Sequence, residues 1–259
     1  MSEITLECRG LSKNFGGVSA VKDVSAPFES GKVTALIGPN GAGKTTLFHL
    51  ITGALRSDAG DVLHRGQSIR GLAPWKVARR GVGRLFQDVR VFSRLTTLEN
   101  VQVAFRGQSG EEPLLALVAQ IRIRRLEAAN TAEALRWLEL VNLSDQRDLL
   151  AETLSYGQQK LLAIARLLAL GADILLLDEP TAGVHPVLVE RLLDVIRHLA
   201  KEGRTAVVIE HNMNAVREVA DWTYFMEGGH IASFGTPQEV LDDPKVRSAY
   251  LGLSTVTQK

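Results

Sequence analysis

Apolar and polar positions along the chain predict a parallel β-sheet flanked by helices. Three runs, at residues 33–37, 174–177 and 205–209, are largely apolar and rich in leucine or β-branched side chains. Such runs are typical of strands that are buried on both faces of a sheet. Each run leads into polar or glycine residues and then into a helical pattern. Strands that alternate with helices indicate an α/β fold with a mainly parallel sheet.

The middle of the chain follows a different pattern. Residues 88–170 contain few strand patterns and several helical ones, of which residues 132–141 are the clearest example. We therefore expect one domain over residues 1–259, with a helical subdomain at 88–170 inserted into an α/β core. That core is expected to consist of residues 1–87 and 171–259.

An antiparallel β part is also expected. Two short β patterns, at residues 224–226 and 231–234, flank Gly228 and Gly229. A glycine pair between two such segments is a strong signal for a hairpin. Directly after it, Thr236 precedes a proline and is followed three residues later by Glu239, which predicts a capped helix start.

Composition excludes several classes of protein. The chain has 259 residues, 45% apolar and 23% charged, which is ordinary for a globular protein, and a net charge of +1 gives no strong field toward nucleic acid. Cys8 is the single cysteine, so no internal disulfide can form. The most apolar stretch, residues 161–177, is interrupted by Arg166 and Asp173. We expect no signal peptide, no membrane span and a cytoplasmic location.

A glycine-rich loop after the first apolar run carries the strongest chemical signal. Residues 38–45 match the pattern G-x-x-x-x-G-K-S/T between a strand and a helix. Glycines let backbone N–H groups converge on phosphate oxygens, and the helix directs its positive end at them. Lys44 adds a charge at the β- and γ-phosphates, and the Thr45 hydroxyl can ligate Mg²⁺. The residues expected at the nucleotide are Gly38, Pro39, Asn40, Gly41, Ala42, Gly43, Lys44, Thr45 and Thr46.

Two adjacent carboxylates end the second apolar run. Asp178 and Glu179 follow residues 174–177 directly. Taken alone, the pair is more simply interpreted as two solvated acids at the end of a strand. Beside a phosphate-binding loop, Asp178 is expected to hold Mg²⁺ and Glu179 to orient or deprotonate the attacking water.

Residues 154–159 read L-S-Y-G-Q-Q and precede a helical pattern. Ser155 is a good N-cap, and Gly157 leaves backbone exposed in the first turn, where an anion could bind. From these residues alone an ordinary helix start remains the simpler interpretation.

Taken in order along nearly the whole chain, these segments resemble the nucleotide-binding subunits of ATP-binding-cassette (ABC) transporters. The segment from Leu154 to Gln158 is similar to the family signature, which usually reads L-S-G-G-Q. Gln87 matches the glutamine that opens the helical subdomain of the family, and His211 matches its switch histidine. Phe15 matches the aromatic residue that stacks on adenine.

The resemblance implies a mechanism and a set of partners. It implies a dimer with two ATP molecules in its interface, each between one subunit's phosphate loop and the other's Ser155, Gly157 and Gln158. It implies ATP and Mg²⁺ as cofactors, Glu179, His211 and Gln87 as catalytic residues, and Thr45, Gln87 and Asp178 at the metal. It further implies transmembrane permease subunits as partners, a peripheral position on the inner face of the cell membrane, and no nucleic acid.

Two positions depart from the family pattern. Tyr156 replaces the first signature glycine, which adds bulk where the backbone would approach nucleotide. His185 stands where an aspartate is usual in the family, and that aspartate helps to couple the two sites of the dimer. His185 precedes Pro186 and is alternatively just the start of the next helix.

The details resemble the ATP-binding subunits of branched-chain amino acid importers most closely. The pointers are L-S-Y-G-Q-Q at Leu154, A-G-V-H-P at Ala182, E-H-N-M at Glu210 and a long helical insertion at 113–131. Urea and amide importers share much of this pattern. A soluble ABC ATPase of DNA repair or translation is the alternative class, but one phosphate loop and no sustained heptads favour a transporter subunit. The sequence leaves open whether the dimer has two identical chains.

Basic residues cluster near Gln87. A solvated helix face is the default interpretation, and docking on a cytoplasmic loop of a transporter is the alternative. The cluster consists of Arg79, Arg80, Arg84, Arg90 and Arg94.

Overall fold

The computed structural model describes residues 3–105 and 120–251, so residues 113–119 of the expected insertion lie outside the described part. The chain divides into two compact units. Among the described residues, the first unit contains 3–87, 173–182 and 196–251, and the second contains 88–105, 120–172 and 183–195. Residues 183–195, which the sequence predicts to be part of the α/β core, instead pack with the second unit.

A four-stranded antiparallel sheet in the first unit has the strand order β2-β1-β4-β5. Two long strands, β1 (Ile4–Phe15) and β2 (Val18–Glu29), pair over most of their length with several register shifts. β4 (Ala59–His64) pairs with the other edge of β1, and β5 (Gln67–Ser68) closes a short hairpin with it.

A six-stranded sheet, also in the first unit, has the order β10-β9-β3-β8-β7-β6. β6, β7, β8, β3 and β9 run parallel, and only β10 is antiparallel to its neighbour. The strands are β3 (Val33–Ile37), β6 (Val82–Leu85), β7 (Ile174–Asp178), β8 (Thr205–Ile209), β9 (Trp222–Glu227) and β10 (His230–Gly235).

Strand pairing brings the functional loops to one edge of this sheet. Asp178 lies opposite Ile209 at the ends of β7 and β8, and Leu36 of β3 lies opposite the same Ile209. Leu85 of β6 lies opposite Leu177 of β7. Because the carboxyl ends of parallel strands meet at one edge, the loops that follow these four strands are neighbours.

Alternate side chains of β3 enter two different apolar clusters. Leu36 belongs to a large cluster with Phe28 and Phe48, whereas Ala35 and Ile37 belong to a second cluster on the other face. Side chains of a strand point alternately to its two faces, so a strand buried on both faces is largely apolar, which explains the run that predicts β3.

Helices of the first unit connect and cover these strands. They are α1 (Lys44–Ile51), α2 (Pro74–Arg79), α7 (Met213–Val219), α8 (Pro237–Asp242) and α9 (Pro244–Leu251). Thr236 accepts a bond from the Glu239 N–H and Glu239 accepts from Thr236, so the predicted capping box of α8 is present. α6 (Pro186–Lys201) starts in the second unit and ends in the first.

The second unit is helical where it is described. α3 (Thr97–Gln102), α4 (Gln120–Leu140) and α5 (Tyr156–Ala169) pack against one another. Two short 3₁₀ turns, Ser144–Gln146 and Ala151–Thr153, lie between α4 and α5. None of the helices in the described residues is long and apolar enough to cross a bilayer.

Some strands have the bounds that the sequence predicts, whereas others have no counterpart in the sequence-based prediction. β3 and β8 span the predicted residues, and β7 is one residue longer because it includes Asp178. The hairpin at 228–229 is present with longer strands than predicted. β2, β4, β5 and β6 were not predicted.

Phe28 provides a test of the core between the sheets. Its side chain is 1% exposed, and its ring centroid lies 6.0 Å from that of Tyr224. We expect Phe28→Ala to lower the free energy of unfolding by about 3–5 kcal/mol through lost burial and a residual cavity. Chemical denaturation would measure this. Phe234→Ala is the matched control because Phe234 is 65% exposed, and an equal loss there would contradict the assignment.

Candidate active site

The phosphate loop lies between β3 and α1 and needs glycine at two positions for reasons of space. A Cβ on Gly38 would lie 2.1 Å from the carbonyl oxygen of Met226, and one on Gly43 would lie 2.2 Å from that of Ala20. Gly43 also has a φ of +101° at the N-cap of α1. Both glycines therefore let the loop lie directly against the neighbouring backbone.

The loop encloses one side of a small cavity of about 180 Å³. Glu179 and His211, which follow the ends of β7 and β8, also line this cavity. Gly38, Pro39 and Phe15, which were also predicted to touch nucleotide, are not among the lining residues. The lining residues are Ala20, Asn40, Gly41, Ala42, Gly43, Lys44, Thr45, Thr46, Glu179 and His211.

Lys44 is held within the loop by backbone oxygens. Its ammonium donates to the carbonyl of Gly38 at 2.7 Å and to that of Pro39 at 3.0 Å, and the residue is 5% exposed. Burial lowers the pKa of Lys44, while the nearby charges of Glu179 and Asp178 act in the opposite direction. A fixed ammonium that faces two carboxylates is well placed to balance an incoming polyanion.

Three residues that the sequence analysis named as catalytic lie in contact. Gln87 donates its Nε2 to Glu179 Oε2 at 3.1 Å. His211 Nε2 lies 3.2 Å from Glu179 Oε1. Both carboxylate oxygens of Glu179 thus have a side-chain partner at the edge of the cavity.

Glu179 has an unusual backbone conformation. Its φ is +49°, in the left-handed region that residues other than glycine seldom adopt. Its N–H donates to the carbonyl of Ile209 at 3.0 Å. Such backbone strain costs on the order of 1–3 kcal/mol and persists only where surrounding contacts enforce it. Here it turns Glu179 toward the cavity directly after the straight strand β7.

Asp178 is buried in an ion pair that the sequence analysis did not anticipate. Its Oδ2 accepts from Arg84 Nη2 at 2.6 Å, and both side chains are 5% exposed. The Arg84 guanidinium lies over the rings of Phe48 and Phe86, at 5.6 Å and 4.8 Å from their centroids.

The expectation that Arg84 belongs to a solvated helix face is wrong. Arg84 lies in β6, next to β7, and its guanidinium contacts two aromatic rings and a carboxylate. A buried guanidinium is tolerated when it is paired and stacked in this way. The sequence signal was the position of Arg84 within a short apolar run that ends beside Gln87.

The donor chemistry at this edge fits Mg²⁺. Hard cations prefer oxygen ligands, and Thr45 supplies a hydroxyl while Asp178 supplies a carboxylate. Thr45 lines the cavity, and the charge of Asp178 acts on Lys44 within the same loop. Gln87 uses its nitrogen toward Glu179, so its carbonyl oxygen is the atom that could approach a metal.

The signature residues form a capped helix start in the second unit. Ser155 and Gln158 complete a reciprocal capping box at the start of α5, as the N-cap interpretation expected. A Cβ on Gly157 would lie 2.8 Å from Leu188 Cδ1 and 2.9 Å from Val184 Cγ1. Gly157 therefore permits close packing within the second unit, whatever its role toward a ligand.

The two departures from the family pattern have distinct environments. The Tyr156 ring lies 5.0 Å from the Lys160 ammonium, and Tyr156 is 39% exposed at the start of α5. The His185 carbonyl accepts from the N–H groups of Leu188 and Val189, so His185 stands at the start of α6.

Phe15, which is predicted to stack on adenine, is 47% exposed at the end of β1, and the Lys13 ammonium lies 5.7 Å above its ring.

Family models and relatives match the chain over most of its length. A model described as ABC transporter matches residues 21–182, and one described as branched-chain amino acid ATP-binding cassette transporter matches residues 233–253. The chain is 40% identical over 253 residues to the branched-chain amino acid transport ATP-binding protein BraF of Pseudomonas aeruginosa, covering 97% of this chain and 99% of BraF. LivG of Escherichia coli is 37% identical with the same coverage. The lipopolysaccharide export ATP-binding protein LptB of Escherichia coli is 35% identical, covering 96% of this chain and 97% of LptB.

Solved structures with the same fold include several nucleotide states. A nucleotide-free cassette of an ABC transporter has a TM-score of 0.82 at 34% identity, covering 95% of this chain and 98% of that one. A cassette in its ADP conformation has a TM-score of 0.82 at 33% identity, covering 96% and 99%. A dimeric post-hydrolysis cassette bound to ADP and phosphate has a TM-score of 0.73 at 25% identity, covering 90% and 98%.

Fold, site geometry and full-length similarity agree. The chain belongs to the ATP-binding subunits of ABC transporters, in the branched-chain amino acid transporter family.

Proposed function

We propose that this subunit hydrolyses Mg²⁺–ATP to power a membrane importer for branched-chain amino acids, with Glu179 as the residue that activates water. The carrying observation is the Glu179 carboxylate, whose two oxygens contact Gln87 and His211 and which lines the same cavity as the phosphate loop. The cargo is proposed from BraF and LivG, which are branched-chain amino acid transport proteins of the same length.

Binding of the triphosphate would use the loop and its lysine. Backbone N–H groups of the loop and the start of α1 direct partial positive charge into the cavity, and Lys44 adds a full charge. Thr45, Asp178 and Gln87 would hold Mg²⁺, which supplies charge neutralisation at the phosphate oxygens.

Hydrolysis would begin with a water between Glu179 and the γ-phosphate. Glu179 orients this water and accepts its proton as the oxygen attacks phosphorus, and the bond to the bridging oxygen of ADP breaks. His211 and Gln87 hold the carboxylate from both sides, so that it does not rotate away from the water. His211 would also contact the γ-phosphate.

The working unit is proposed to be a dimer, since cassettes of this fold dimerise. Ser155, Gly157 and Gln158 of one subunit would complete the nucleotide site of the other, and Phe15 would stack on adenine. ATP then joins the two halves because its charge is neutralised only when both approach, and loss of phosphate would release them.

Permease subunits are the proposed membrane partners, with this chain on the inner face of the cell membrane. LptB is an ATP-binding protein of a lipopolysaccharide export system, so a cassette that is 35% identical to this chain serves a different cargo. The cargo is accordingly tested through the partners and not through the ATP site.

Lys44→Ala should weaken ATP binding, because the β- and γ-phosphates lose their nearest fixed cation. We expect an affinity loss of about tenfold or more, measured by calorimetry with Mg²⁺–ATP. Lys201→Ala, an exposed lysine at the end of α6, is the control and should bind as wild type. Unchanged affinity of Lys44→Ala would overturn the role of Lys44.

Glu179→Gln should keep ATP binding and lose turnover, since the amide cannot accept the proton. We expect kcat to fall by about 100-fold or more, and ATP-bound dimer to accumulate in size-exclusion chromatography. Glu218→Gln removes an exposed carboxylate of α7 and should leave kcat unchanged. Wild-type turnover in Glu179→Gln would remove Glu179 from its proposed role.

The assembly itself can be isolated from native membranes. We expect permease subunits to copurify with the tagged chain. We expect vesicles that contain the complex to accumulate labelled leucine only when ATP is supplied on the side of the membrane where this subunit lies. Lys44→Ala should abolish accumulation in the same vesicles. Transport of another solute class in place of leucine would replace the cargo, and copurifying ribosomes or nucleic acid would replace the transporter assignment.

A further inference from the structure

Glu210 is a buried carboxylate that the proposed chemistry does not use. It follows β8 directly, immediately before His211, and is 2% exposed. Burying a carboxylate is costly unless hydrogen bonds compensate. The bonds that compensate here point to a role for the residue.

Glu210 binds the backbone of two different loops. Its Oε1 accepts from the N–H of Thr181 at 3.0 Å, in the loop after β7. Its Oε2 accepts from the N–H of His211 at 3.2 Å and of Asn212 at 3.4 Å, in the loop after β8. One side chain thus connects the loop that carries Glu179 to the loop that carries His211.

This connection begins where the sheet ladder ends. Asp178 lies opposite Ile209, and the N–H of Glu179 still donates to the carbonyl of Ile209 at 3.0 Å. The β7–β8 ladder ends at this pair, and Glu210 then links the two following loops by accepting from their backbone N–H groups. Hydrogen bonds to a charged acceptor are stronger and better defined in geometry than neutral ones.

The contact between His211 and Glu179 depends on the relative position of these loops. Each residue reaches the other from its own loop, with 3.2 Å between His211 Nε2 and Glu179 Oε1. A shift of about 1 Å at a catalytic group can cost on the order of 100-fold in rate. The carboxylate that fixes both backbones therefore controls a distance on which turnover depends.

We propose that Glu210 is a positioning residue for ATP hydrolysis, which fixes the Glu179 loop against the His211 loop through three backbone N–H groups. The inference rests on the proposed role of Glu179. Because Glu210 contacts both Thr181 and His211, a displacement of the loop at Thr181 would also displace His211.

Glu210→Gln is the direct test, because the side chain keeps its size but has one acceptor oxygen in place of two. Its NH₂ group would face N–H donors of one loop and leave them without an acceptor. We expect kcat to fall by about tenfold or more, while ATP affinity stays within about twofold of wild type. Glu227→Gln, an exposed carboxylate at the end of β9, is the matched control and should change neither quantity.

A double-mutant cycle with His211→Ala separates positioning from general stability. If Glu210 acts through His211, adding Glu210→Gln to His211→Ala should lower kcat little further. Full multiplication of the two losses would overturn the proposal, as would wild-type kcat in Glu210→Gln.

A second variant covers the case in which Glu210→Gln does not fold. Glu210→Asp keeps the charge but is one methylene shorter, so it reaches one loop only, and we expect a lowered kcat with retained ATP affinity. Wild-type kcat in Glu210→Asp would contradict the proposal. Failure of the underlying function is distinguishable, because then the wild-type chain itself would bind or hydrolyse no ATP.

Discussion

The site depends on the parallel pairing of β3, β8 and β7, since their carboxyl ends deliver the phosphate loop, His211 and Glu179 to one place. The cross-strand register puts Leu36 and Asp178 on either side of Ile209. The functional residues of β3, β8 and β7 follow within two residues of these positions, at Gly38, His211 and Glu179. A slip of one residue would reverse the faces of the strands and separate these groups. Full burial of the strands on both faces prevents such a slip. A slipped strand would move no side chain into a more favourable environment, and it would lose hydrogen bonds of the ladder.

Charge balance is the second constraint on the site. Two buried cations, Lys44 and Arg84, face two carboxylates, Asp178 and Glu179, before any ligand is considered. Arg84 is committed to Asp178 by a short bond and by two aromatic rings, whereas Lys44 is held by neutral carbonyls. Displacing Lys44 from carbonyl oxygens costs less than breaking a buried ion pair. Lys44 is therefore the cation that is able to turn toward a phosphate, and Arg84 is the one that stays.

How much the sequence could predict follows from how local each constraint is. β3, β7 and β8 are buried on both faces, so an apolar run marks each of them, and the glycines and Lys44 fall in a pattern of fixed spacing. β2 alternates strictly between buried and exposed residues only over its second half, and Pro27 within that half argues against a strand. β6 is only four residues long and contains Arg84. Arg84 and Glu210 could not be assigned because their partners, Asp178 and Thr181, are distant in sequence and are contacted only after the strands pair.

Gly157 illustrates why motif identity and physical role need separate arguments. The signature comparison gives this residue a place at nucleotide, yet the contacts that exclude a side chain are Val184 and Leu188, which follow the loop after β7. The close approach of Val184 and Leu188 within the second unit is therefore a sufficient physical reason for glycine at this position, and a contact with nucleotide would be an additional property of the same residue.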